Sequence, residues 1–110
     1  MNYSIETIPR FEKDVKNLKK KFPKIKNDLL KLIERLSHNP ELGISLGKNI
    51  FKIRVENSSV PTGKSGGFRV ITYYKKADKL YLITLYSKTQ QDNILTDKLR
   101  LIVEEEIENK

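Results

Sequence analysis

The sequence predicts an α+β fold of order β-α-α-β-β-β-α, an antiparallel sheet with a helical hairpin packed on one face. Three observations carry this expectation. Two apolar stripes at helical spacing lie between residues 10 and 38, three strand-like runs lie between residues 49 and 87, and a last helical stripe follows residue 91. A chain of 110 residues with no repeat, linker or break in composition fits one domain over residues 1–110.

Taken in order, residues 3 to 8 (Tyr-Ser-Ile-Glu-Thr-Ile) alternate like a short strand. Pro9 then suits the first turn of a helix, where its missing N–H costs nothing. Phe11, Val15, Leu18 and Phe22 give that helix one apolar face, and Lys13, Lys16, Lys19, Lys20 and Lys21 the other. Pro23 breaks it and opens the next helix, whose stripe is Ile25, Leu29, Leu32, Ile33 and Leu36, ending at Ser37-His38-Asn39-Pro40. Pro40, Gly43 and Gly47 mark residues 39 to 48 as a loop.

Three strands follow. Residues 49 to 55 put Phe51, Ile53 and Val55 on one face and Lys52 and Arg54 on the other. Residues 67 to 75 separate Phe68, Val70 and Tyr74 from Arg69, Ile71 and Tyr73. Strict alternation over residues 80 to 87 groups Leu80, Leu82, Thr84 and Tyr86 against Tyr81, Ile83, Leu85 and Ser87, a central strand apolar on both sides. Ile94, Leu99, Ile102 and Val103 space the final helix.

The charge is informative by its placement. The net charge is +8, yet residues 92 to 110 carry 3 basic and 6 acidic side chains against 19 and 8 before them. A basic body attracts an anionic partner through counterion release, although a solvated lysine-rich surface would look the same by composition alone. Cysteine is absent, which excludes disulfides and thiolate chemistry, and no apolar run approaches a membrane span. The start of the chain does not read as a signal peptide, so a soluble cytoplasmic protein is expected.

Gly63-Lys64-Ser65 is not a phosphate-binding loop. Position 58 is Ser where that motif needs Gly, and the residues that follow read as strand. His38 sits at a helix end, where a cation is welcome beside unpaired carbonyls, and is read as structural. A lone His without Cys offers no transition-metal cluster, and neither metal nor cofactor is expected. Asp92, Asp97 and Glu104 to Glu106 lack metal-ligand spacing and are read as a solvated face. Parity instead gathers Lys52, Arg54, Arg69 and Tyr73 on strand faces, with Tyr86 and Lys88 closing the last strand and Lys64 reaching over from the loop. The same parity is equally compatible with the wet face of a half-exposed sheet, on which Arg69 would be partly exposed.

The runs Asn49-Ile50-Phe51-Lys52-Ile53-Arg54, Gly63-Lys64-Ser65-Gly66-Gly67-Phe68-Arg69 and Leu85-Tyr86-Ser87-Lys88 resemble the RelE/ParE superfamily of type II toxins, and the last two its HigB-like branch. The resemblance covers nearly the whole chain. It implies a small ribosome-dependent mRNA endoribonuclease, independent of metal, that is held inactive by a cognate, small DNA-binding antitoxin. It also implies catalytic roles for Arg69, Lys64, Tyr86 and Lys88 and RNA binding by Lys52 and Arg54, and Tyr73, an aromatic ring among these cations, is expected to bind RNA by stacking a base. The chain lacks the C-terminal Arg/Tyr arrangement of RelE itself, so the roles of general acid and general base stay open. Two other readings share the fold or the charge: a ParE-type inhibitor of DNA gyrase, and a basic RNA-binding domain without activity.

Overall fold

The computed structural model describes residues 3–61, 67–75, 79–87 and 96–109. The elements are β1 (Ser4–Thr7), α1 (Pro9–Lys19), α2 (Ile25–His38), β2 (Ile44–Ser45), β3 (Ile50–Val55), β4 (Phe68–Lys75), β5 (Lys79–Ser87) and α3 (Thr96–Val103). After Val103 the last helix widens into a π-turn over Glu104–Glu108, closed by Asn109 N–H donating to the Glu104 carbonyl at 2.9 Å. The sheet has five strands in the order β1-β5-β4-β3-β2.

This is the expected α+β arrangement with two departures. The segment read as a loop contains β2, a two-residue edge strand antiparallel to β3. It is joined to β3 by a turn with φ of 52° at Lys48 and 64° at Asn49, and Ile50 N–H donates to the Gly47 carbonyl at 3.0 Å, the pattern of a type I′ turn. Gly43, just ahead of β2, has φ of 101°, and a Cβ there would lie 2.5 Å from the Lys52 carbonyl oxygen. The second departure lies in β1, the strand expected over residues 3 to 8, which pairs parallel to β5, so the sheet is mixed and not wholly antiparallel.

Both helical stripes enter the core. Phe11, Leu18, Phe22, Ile25, Leu29, Leu32 and Leu36 are buried. Phe22 meets the fully buried Phe68 edge-to-face, with centroids 5.4 Å apart, a geometry that adds about 0.5–1.5 kcal/mol to the burial itself. Tyr3 packs against Tyr74 and its hydroxyl donates to the Leu36 carbonyl of α2. Phe68, Val70, Thr72 and Tyr74 therefore face the helical hairpin. On the other face, Tyr73 reaches the C-terminal helix, its hydroxyl donating to Glu108 at 2.8 Å. Covered on both sides, β4 is buried from Phe68 to Thr72. Among the described residues, no helix is long and apolar enough to cross a membrane.

The strict alternation expected of β5 fails at one point. Ile71 pairs with Thr84 and Thr72 with Leu82, leaving Ile83 as an extra residue, a β-bulge. The bulge turns the second half of the strand over. Leu80 and Leu82 lie with Tyr74 and Thr72, whereas Tyr86 is opposite Arg69.

Candidate functional site

Antiparallel pairing sets three side chains in one row. Arg54 on β3 is opposite Arg69 on β4, and Arg69 is opposite Tyr86 on β5. Directly opposed residues share a face and stand roughly 5 Å apart, so the row is a continuous strip across three strands. The bulge at Ile83 is what completes it, because without that residue Tyr86 would point into the hairpin core.

The row runs from open to closed. Arg54 is exposed, Arg69 is 6% exposed and Tyr86 is 4% exposed. The expectation of a partly exposed Arg69 is thus corrected: parity gave its face, but that face is covered. Its Nη1 donates to the carbonyl of Phe68 at 3.2 Å, and none of the ion pairs among the described residues involves it. The Tyr86 hydroxyl is buried without a hydrogen-bond partner among the described residues. Burial pushes the Tyr86 phenol above its usual pKa, and the Arg69 guanidinium beside it opposes that rise. An unpaired phenol beside a guanidinium, with a second guanidinium at the open end, is a site for an anion with several acceptor oxygens.

The other candidates divide. Lys52, half-buried, stands one row along, opposite Ile71. Tyr73 is two rows from Arg69, roughly 13 Å along the strand at about 3.3 Å per residue, and does not join the cluster. It stacks on Tyr81 with centroids 6.3 Å apart, and its hydroxyl is committed to Glu108. Burial, then the Glu108 hydrogen bond and charge, push the Tyr73 phenol up to about 12. Lys64 and Lys88 lie outside the described residues.

The carboxylates of the last helix are not only a solvated face. Glu106 pairs with Arg10 at 3.0 Å and Glu108 with Lys75 at 3.8 Å, fastening the acidic end to the basic body. The sequence carries a signal for this in the charge reversal after residue 91. Asp28 is a second polar group that the sequence does not flag. Buried on α2, it accepts the Ser58 N–H at 3.1 Å and lines a cleft of about 190 Å³ with Lys31 and Arg35, on the hairpin side of the sheet away from Arg69.

A family model described as the RelE toxin of the RelE/RelB toxin–antitoxin system matches residues 11–105. The chain belongs to the RelE toxin family. The match runs from α1 to the π-turn and spans the whole Arg54–Arg69–Tyr86 row. The chain is accordingly a toxin of a toxin–antitoxin pair, and an antitoxin is its partner. A comparison with curated proteins finds no match.

Proposed function

We propose that this RelE-family toxin is a ribosome-dependent mRNA endoribonuclease, of the HigB-like kind, that uses arginine and tyrosine where other ribonucleases use histidine. The observation that carries the reading is the row itself: two guanidiniums and a phenol with a free proton donor, held side by side on three strands. In the reaction the 2′-oxygen attacks the adjacent phosphorus, its bond to the 5′-oxygen breaks, and a 2′,3′-cyclic phosphate and a 5′-hydroxyl result. Arg69, assisted by Arg54 and Lys52, binds the non-bridging oxygens and stabilises the charge that grows on them. The raised pKa keeps the Tyr86 phenol protonated at neutral pH, so it donates its proton toward the departing 5′-oxygen. Lys64 or Lys88 takes the proton from the 2′-hydroxyl. Ribosome and mRNA are the working partners, with the antitoxin as the off state, in the cytoplasm.

The test is 5′-end mapping of mRNA in a translating extract supplied with the toxin. Wild type should generate discrete new ends, and Arg69→Ala should lower cleavage about 10²- to 10³-fold, the loss expected for one charge-stabilising donor. Because Arg69 is buried without a carboxylate partner among the described residues, its removal should leave thermal stability nearly unchanged. Growth arrest without new mRNA ends, accompanied by loss of DNA supercoiling, would replace this reading by gyrase inhibition.

A further inference from the structure

The Arg54–Arg69–Tyr86 row is one end of a longer surface. On the same face, a second concavity of about 300 Å³ opens between β4 and the C-terminal helix. Its walls include Ile50, Val103 and the ring of Tyr73, and Lys48, Arg100 and Glu104 line it as well. Lys48 is a central residue of the hairpin turn before β3. The Arg100 guanidinium lies over that turn, so near that a Cβ on Gly47 would be 3.2 Å from its Nη2. Arg100 also pairs with Asp97 of its own helix, Nη1 to Oδ1 at 3.9 Å. Glu104 begins the π-turn one helical turn after Arg100, and positions four apart on a helix are neighbours. Glu108, which also lines the cavity, is already taken by the Tyr73 hydroxyl and Lys75, whereas no ion pair among the described residues involves Glu104.

A carboxylate beside a guanidinium, against an aromatic ring, matches one nucleobase edge. Guanine presents two adjacent donors, N1–H and the N2 amino group, followed by the O6 acceptor. A carboxylate has two oxygens that accept both donors, and a guanidinium or ammonium donates to O6. Adenine, cytosine and uracil each place an acceptor where the second donor would have to be. The cavity is at the low end of the roughly 300–1,000 Å³ found for small-ligand sites, which suits a single base.

From this geometry we infer that the cavity bounded by Tyr73, Arg100 and Glu104 is a guanine-selective subsite on the RNA path, a short run of nucleotides from the scissile phosphate. The inference rests on the endoribonuclease reading, and Glu104 is its discriminating residue. It is tested by two measurements on the full chain freed of antitoxin. In the first, 5′-GMP, 5′-AMP, 5′-CMP and 5′-UMP are titrated and followed by the amide resonances of Gly47, Tyr73 and Arg100, with no cleavage required. 5′-GMP should bind about tenfold more tightly than the others, a preference of the size one bidentate base contact supplies, and Glu104→Gln should abolish it. In the second, 5′-end mapping should find guanine enriched at one fixed position beside the cut, and the Glu104→Gln variant should lose that enrichment whatever becomes of its total cleavage. Should wild type make no cuts, the endoribonuclease reading fails and the nucleotide titration alone decides the subsite. Equal binding of the four nucleotides, or guanine enrichment unchanged in Glu104→Gln, overturns the inference. So does a Glu104→Gln variant that loses antitoxin affinity while keeping its nucleotide preference, since the surface would then belong to the antitoxin.

Discussion

Tyr86 is buried among apolar side chains, yet its hydroxyl has no partner among the described residues. A buried polar group left unsatisfied costs about 1–3 kcal/mol. Stability alone would favour phenylalanine at this position, so the hydroxyl has its use elsewhere, and Arg69 on the neighbouring strand indicates an anionic oxygen as its partner. Two properties should therefore separate in Tyr86→Phe. Thermal stability should hold or rise by up to about 1 kcal/mol, because no hydrogen bond is lost and a desolvated group is removed. Cleavage should fall about 10²-fold, the lower range of proton-transfer catalysis. A variant that melts well below wild type would make the hydroxyl structural; one that cleaves normally would remove Tyr86 from the chemistry. Arg69→Lys, by the same logic, should recover only part of the activity, since the charge remains while the planar fork that binds two phosphate oxygens is gone.

The last helix is held to the sheet by Tyr73–Glu108 and Lys75–Glu108 and to α1 by Arg10–Glu106, and the first of these titrates. The Tyr73 phenol is pushed up to about 12, against 10 for a free phenol. The folded protein thus holds this proton more tightly than the unfolded chain, and the contribution is whole below pH 10 and lost as pH rises through about 12. Circular dichroism across this range should report loss of helix, with Tyr73→Phe lacking that alkaline step; an identical step in both would assign it to other groups. Docking of this helix was the least legible element in the sequence. The stripes of α1 and α2 could be read because 3.6-residue periodicity and the flanking prolines both mark them. The bulge in β5 could not, since Ile83 is β-branched like a regular strand residue and no glycine announces the irregularity. For the same reason alternation groups Tyr86 with Leu80 and Leu82, although the bulge places it beside Arg69. Parity found the faces of Lys52, Arg54 and Arg69 but not the burial of Arg69, because what covers a face is a property of distant chain.

Across the whole molecule, charge is divided between a basic body and an acidic end, and the question is whether the excess cations act as a field or as a site. The lysines of α1 (Lys13, Lys16 and Lys19) are exposed on the side of that helix away from its buried Phe11 and Leu18. Lys52 instead stands on the sheet face that carries Arg54 and Arg69, one row from them. All of these raise the encounter rate with RNA through the net +8 charge, but only a cation in contact with a phosphate releases a counterion on binding. For single-stranded RNA each such contact contributes about −0.7 to the slope of log affinity against log salt. Lys52→Gln should therefore flatten the slope by about one contact, while Lys16→Gln should lower affinity slightly and leave the slope as it was. The measurement is RNA binding by the isolated toxin from low to physiological salt, using an Arg69→Ala background so that the ligand stays intact. Equal changes in slope at Lys16 and Lys52 would mean that the body binds RNA as a diffuse cationic surface. A slope that moves only with Lys52 would extend the phosphate track from Arg54 along β3 toward the cavity beside Tyr73.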